Sequence, residues 1–166
     1  TIVGGGDSGC ECAYMLAYEL DKNVTIVEMT PNLMSSTCTA NRGHLLHYLE
    51  KKGVNILNCT KLKSVQDGKV VVSRNVSKTV PTPFNTWQPI LPENIKNPLA
   101  KKIKEKYVDQ EIATDAVVVA IGTVSENELY QNAVKEHIAK EIYNVGDSSK
   151  PGKVFMAVKS AYRTAR

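Results

Sequence analysis

The sequence predicts an α/β fold, a Rossmann-like parallel sheet carrying an added β-hairpin or meander layer. Three observations carry that reading. A strand, a glycine turn, a helix and a second strand follow one another between Ile2 and Glu28. A continuous apolar segment, Ala116–Ile121, has the character of a central parallel strand buried on both faces. Between them, two strand-like runs are joined by Asp67-Gly68, a strong hairpin signal.

In chain order, Ile2-Val3 is short and β-branched, and Gly4-Gly5-Gly6-Asp7-Ser8-Gly9 comes next. Cys10–Leu20 is rich in Ala, Leu, Met and Glu, which favour helix. Asp21-Lys22-Asn23 breaks it, and Val24–Val27 is a strand ending in Glu28. Met29–Ala40 is polar, with Pro31 and a Ser/Thr cluster, and reads as a loop. A helix is expected over 41–52, stopped by Gly53 just past its end. Val54–Leu57 is the third strand. Residues 61–66 and 69–74 form the hairpin, whose Asp-Gly turn should place both central residues at positive φ.

Residues 75–98 hold five of the seven prolines, together with Trp87. Proline at that density blocks helix interiors and sheet ladders, so this stretch reads as an insertion, a lid or an interface segment. A short helix over 99–107 would expose Lys101, Lys102, Lys104 and Lys106. After the strand at 115–121 come a helix over 127–136, a strand over 141–145 and a loop over 148–153. A last helix over 154–166 sets Phe155, Val158 and Tyr162 on one side.

Composition narrows the class. With 42% hydrophobic and 23% charged residues the chain is not of a disordered type. No apolar run approaches the roughly 20 residues of a membrane-spanning helix. The start has no basic region and no long apolar core of a signal peptide, so a cytoplasmic setting is expected. A net charge of +4 gives no argument for nucleic acid. At 166 residues the length fits one domain, but a chain that opens on Thr1 and goes straight into a strand reads as a piece of a longer one. Cys10, Cys12, Cys38 and Cys59 lack redox or zinc spacing and are expected to be buried, reduced thiols. His44 and His47 are read as solvated or packed. The sequons at Asn23, Asn58 and Asn75 are read as chance matches.

The chemistry sits in Gly4-x-Gly6-x-x-Gly9. It succeeds a strand, opens a helix, and has an acidic residue, Glu28, at the end of the next strand, 19 residues after Gly9. Together these contexts specify a dinucleotide fingerprint. Gly4 permits the tight turn, Gly6 lets a pyrophosphate approach the backbone, and Gly9 lets the helix pack against the strands. First-turn N–H groups and the positive helix end then hold the diphosphate. Asp7 or Ser8 can cap that helix. Glu28 is suited to accept hydrogen bonds from the adenosine ribose. A 2′-phosphate there would meet a carboxylate, and no Arg or Lys occurs between Met29 and Asn41, so NADH is favoured over NADPH. Glu11 either faces the cofactor or complements the helix dipole. The candidate cofactor-binding residues here are Gly4, Gly5, Gly6, Asp7, Ser8, Gly9, Glu11, Glu28 and Met29; no catalytic residue and no metal ligand is singled out.

On Val3–Glu11 and Val24–Met29, the chain resembles the NAD(P)H-binding domain of flavoproteins that bind two dinucleotides. Thr114–Gly122 resembles the strand on which such chains leave the NAD domain, adding Ile121 and Gly122 to the candidates. Ile142–Asp147 resembles the motif whose Asp reaches the FAD ribityl chain, adding Gly146 and Asp147. The Val24–Met29 strand and Pro151–Val158 are similar to the C-terminal part of the old-yellow-enzyme-related reductases, such as the 2-enoate and 2,4-dienoyl-CoA reductases. That resemblance implies an NAD(H)-binding domain over 1–122, with an insertion at about 75–98. It makes 123–166 the remnant of a FAD-binding domain. It further implies NADH as donor, a partial FAD site, and FMN and a 4Fe-4S cluster in the parent enzyme, which would reduce an activated alkene. The missing FAD and FMN-barrel domains would be the partners. Without them the fragment is not expected to be catalytically competent, and its last helix is expected to dock non-natively, swap between chains or help a dimer form. The alternatives are another NAD(P)H:flavin reductase of the two-dinucleotide kind, or a stand-alone nucleotide-binding, redox-sensing module. A disulfide reductase would need a Cys-x4-Cys pair, which the sequence lacks.

Overall fold

The computed structural model describes residues 1–84 and 101–166. It divides into two compact units, Thr1–Ile121 and Gly122–Arg166. Most of the expected insertion, including Trp87, lies outside the described residues.

The first unit is built on a parallel sheet of short strands: β1 (Ile2–Val3), β2 (Thr25–Val27), β3 (Asn55–Leu57) and a later strand, Val118–Val119. Their order places β1 between β2 and Val118–Val119, with β3 outermost beside β2. Ile2 pairs in register with Ile26 on one side and Val118 on the other. Helix α1 (Asp7–Tyr14) runs on into a single π-helical turn, Met15–Glu19. Its buried residues are Gly9, Cys10 and Ala13, continued by Ala17, small residues that let the helix sit close to Ile2 and Ile26. Helix α2 (Thr39–Lys51) adds Leu46 and Leu49 to the same core. It ends as expected at Gly53, φ +78. There Val54 N–H returns to Leu49 O and Gly53 N–H to Glu50 O, both at 2.9 Å, which is a Schellman closure.

The second layer is an antiparallel meander of β4 (Thr60–Gln66), β5 (Lys69–Asn75) and β6 (Tyr107–Ala113). Val70 and Val72 are fully buried and pack with Val27, Leu62, Ile112 and Val117. The turn differs from expectation. Gly68 takes φ +69, whereas Asp67 is not among the positive-φ residues, so the residue without a Cβ alone adopts the left-handed conformation.

The expected lysine helix is also corrected. Lys101–Lys106 has neither helix nor strand, and β6 begins directly after it. Asn75 explains the first part. Its buried side chain donates to Lys104 O at 2.9 Å and accepts from Lys106 N–H at 3.1 Å, while Lys104 N–H donates to Thr79 Oγ1 at 2.7 Å. Backbone groups engaged in this way are not available to a helical ladder. In β6, Asp109 and Glu111 meet Lys63 and Lys69, each pair at 2.7 Å.

The apolar run at 115–121 contributes β7 at Val118–Val119 alone. Among the described strands β7 has β1 as its neighbour and stands at the sheet edge, with Val119 65% exposed. It is therefore not the doubly buried central strand expected.

The second unit contains α3 (Glu128–Lys135), a 3-10 turn at Gly146–Ser148 and α4 (Val154–Ala165). The strand expected over 141–145 does not form; no strand among the described residues pairs with it. The apolar stripe of α4 is exposed, including Phe155, Val158 and Tyr162.

Candidate functional site

The glycine turn lies at the carboxyl ends of β1, β2 and β7. Because β1 has β2 on one side and β7 on the other, the connections diverge there, which opens the crevice where α/β sheets take ligands. Gly4 has φ +107, and a Cβ on it would lie 2.2 Å from Ala120 O, where β7 ends. A Cβ on Gly9 would lie 2.0 Å from Gly4 O, and one on Gly5 would lie 2.8 Å from the Leu33 side chain. Gly6 is different. It is exposed, and nothing lies within 4 Å of its Cβ position. The turn is closed on three glycines and open on the fourth.

Gly6 is itself the N-cap of α1, in extended backbone, with no side-chain cap. The expectation of capping by Asp7 or Ser8 is thus corrected, because both already lie inside the first helical turn. Asp7 instead accepts a hydrogen bond from Thr37 Oγ1. Cys10 N–H donates to Gly6 O at 3.0 Å, so the N–H groups of Ser8 and Gly9 precede that bond. This helix end is the kind that holds a phosphate.

Glu28 directly follows β2 and is buried. Its Oε2 accepts Gly5 N–H and its Oε1 accepts Thr30 N–H, both at 2.6 Å. The carboxylate therefore latches the glycine turn, a role that spacing alone did not suggest. Each oxygen retains a further lone pair with which to accept a ribose hydroxyl. Met29 and Glu11 are exposed, as is Ile121 at the end of the first unit. Gly122, Gly146 and Asp147 belong to the second unit. There Asp147 Oδ1 accepts Gly152 N–H at 3.2 Å, and Gly146, at φ +72, donates from its N–H to Ser160 Oγ at 3.2 Å.

Residues 29–38 are more than a polar loop. Leu33 and Met34 are buried against the core, and Met34 N–H donates to Gly5 O at 2.9 Å. The signal for this was present: two adjacent apolar residues inside a Ser/Thr-rich stretch.

Cys10 and Cys59 are buried, Cys12 is half-buried and Cys38 is exposed, which corrects the expectation of burial for all four. Burial, reinforced by Asp7, Glu28 and Glu11, pushes the Cys10 thiol up to about 12. It stays protonated and inert in the range where reactive thiols ionise. His44 and His47 pack on Tyr48, with ring centroids 4.7 and 5.6 Å away. Asn58 and Asn75 donate from their Nδ2 atoms to backbone carbonyls, which ties up both sequon amides. A separate hollow of about 860 Å³ opens at the amino-terminal edge of the sheet, near Asp21, Lys52 and Asp115, and contains none of the candidate residues. Among the described residues no group of three or more His, Cys, Asp or Glu is placed to hold a metal, and no helix is long and apolar enough to cross a membrane.

The crevice, the glycine turn and the acidic end of β2 define a dinucleotide-binding Rossmann unit. Residues 1–161 match the family model of the pyridine nucleotide-disulphide oxidoreductases. The chain belongs to that family, whose domains bind pyridine nucleotide and FAD. It is 26% identical to a cinnamate reductase of Clostridium sporogenes, across 99% of this chain and 20% of that protein. Its fold is shared with a 2-naphthoyl-CoA reductase (TM-score 0.70, 22% identity, 98% of this chain and 20% of that one). It is also shared with the histamine dehydrogenase of Rhizobium sp. 4-9 (TM-score 0.68, 18% identity, 99% of this chain and 21% of that one). The chain spans about a fifth of the length of these proteins.

Proposed function

We propose that this chain binds NADH and serves as the hydride-delivery portion of a flavin-dependent oxidoreductase. The observation that carries this is the contrast among the glycines. Gly4, Gly5 and Gly9 are packed against backbone or core, while Gly6 faces open space at the start of α1. A pyrophosphate fits there, against N–H groups and the positive helix end. Glu28 lies beside the same turn to take the ribose hydroxyls, and a 2′-phosphate near its carboxylate would be repelled. When bound, the dihydronicotinamide would supply a hydride to FAD; on the resemblance, the two electrons would then pass singly through a 4Fe-4S cluster to FMN, which would reduce an activated alkene with protons taken up from the medium.

Likeness to a cinnamate reductase supports an enoate or enoyl-CoA type of substrate for the parent enzyme. In this reading Asp147 adds one contact to FAD, and the FAD and FMN-barrel domains of the parent chain complete the machinery. The exposed stripe of α4 supports docking against such a domain or a second copy. A cytoplasmic setting accompanies this reading.

Calorimetric titration with NADH and with NADPH tests it. Saturable NADH binding, tighter than NADPH, is the expected result. Absence of binding by either overturns the cofactor assignment. Equal preference for the two in both the wild type and Glu28→Gln overturns the role of Glu28 in selectivity.

A further inference from the structure

We propose that Arg42 is a positioning residue for the dinucleotide, acting by pinning residues 29–38 as a strap across the glycine turn; this rests on the NADH-binding reading above. Arg42 projects from the first turn of α2 into the interior and is 3% exposed. Its Nε donates to Leu33 O at 2.7 Å. Leu33, fully buried, stands where any Cβ on Gly5 would fall. The next residue, Met34, sits at φ +49, a backbone conformation that a residue with a side chain rarely adopts. It is in that conformation that Met34 N–H reaches Gly5 O, at 2.9 Å. At its far end the strap is tied to α1 by Thr37 Oγ1 and Asp7.

The strap thus holds the glycine turn at Gly5 and the first turn of α1 at Asp7, on either side of the open Gly6. A left-handed Met34 persists because its surroundings determine it, and Arg42 supplies a charged hydrogen bond one residue away. A buried guanidinium is stable where its donors are engaged, and that of Arg42 is engaged through Nε on the strap itself. What this bond fixes is the phosphate cradle, since binding geometry is lost when the supporting side chains are loose.

The test compares wild type, Arg42→Met, Arg42→Lys and Thr37→Val in NADH fluorescence titrations, with hydrogen exchange of the Met34 amide. Arg42→Met should weaken NADH by at least about tenfold, the factor carried by a lost charged hydrogen bond of ordinary strength. Its Met34 amide should exchange faster. Arg42→Lys, which keeps a cation and donors, should recover part of both. Combined with Thr37→Val, the loss should be smaller than the product of the two single losses, because both variants release one strap. A folded Arg42→Met that binds NADH within twofold of wild type overturns the proposal, as does weakened binding with unchanged Met34 exchange. Should Arg42→Met fail to fold, Thr37→Val alone decides, and unchanged affinity and exchange overturn the strap. Failure of the wild type to bind NADH instead overturns the underlying cofactor reading.

Discussion

Gly6 and Gly9 occupy equivalent-looking positions in one motif, yet they answer to different constraints. A methyl group on Gly9 would meet Gly4 O at 2.0 Å, backbone against backbone, with nothing flexible to yield. A methyl on Gly6 meets nothing within 4 Å. Gly9→Ala should therefore cost about 1–3 kcal/mol of stability or prevent folding, as overpacking does. Gly6→Ala should leave the melting temperature within a few degrees of wild type and still weaken NADH severely. Thermal melts beside NADH titrations of the two variants check this; a destabilised Gly6→Ala that still binds NADH would reverse the assignment. Cys10 gives a second residue-scale expectation. Its thiol loses its proton at about 12 when folded, against about 9 in the unfolded chain, chiefly because of burial. The folded state thus holds the proton more tightly. Its stabilising contribution is complete below pH 9 and is lost as pH rises toward 12, by about 1.4 kcal/mol per pH unit. Melting curves from pH 8 to 10.5 should fall more steeply for wild type than for Cys10→Ala, and parallel curves would refute the effect.

At the scale of elements, Asn75 sets the course of the chain between β5 and β6. It is 4% exposed, and its amide binds both the carbonyl and the N–H side of the 104–106 backbone. Asn75→Ala would remove the part-buried hydrogen bonds to Lys104 O and Lys106 N–H, at about 0.5–1.5 kcal/mol each. Faster hydrogen exchange across Tyr107–Ala113 than across Thr60–Gln66 in that variant would locate the damage in β6, and uniform loosening would argue against it. The same element shows why some structure was hidden in the sequence. Strand β6 reads Tyr-Val-Asp-Gln-Glu-Ile-Ala, with three consecutive polar residues and no clean alternation. Its pairing with β5 joins residues distant in the chain, and Lys69 of β5 and Lys63 of β4 add ion pairs to Glu111 and Asp109. The lysine run before it looked helical by propensity, but tertiary contacts through Asn75 override that preference. By contrast, β1, α1 and β2 were legible because each is specified locally, by β-branched residues, glycines needed for close approach and a helix of small side chains. The cofactor motif was legible for the same reason. The strap through Leu33 and Arg42 was not, because its geometry depends on a left-handed Met34 and on a side chain from a different helix.

Across the whole molecule, the two units differ in how they are held. The first buries Ile2, Ile26, Leu33, Leu46, Leu49, Val70 and Val72 almost completely. In the second, no residue of α3 or α4 is buried, and Leu129, Val154 and Phe155 are 85%, 81% and 69% exposed. Apolar burial stabilises at about 25 cal/mol per Å², so the second unit gains little from its own side chains. Local opening is easiest where buried contacts are few. Limited proteolysis of the chain should cut first within Gly122–Arg166, and the product ending near Ile121 should retain NADH binding, since every glycine of the turn, Glu28 and Arg42 lie before the cut. NADH present during digestion should slow cleavage inside Thr1–Ile121 by mass action on the folded state and leave the first cuts unchanged. Primary cleavage within β1–α1–β2 instead, or loss of NADH binding on removal of 122–166, would show that the dinucleotide site depends on the second unit.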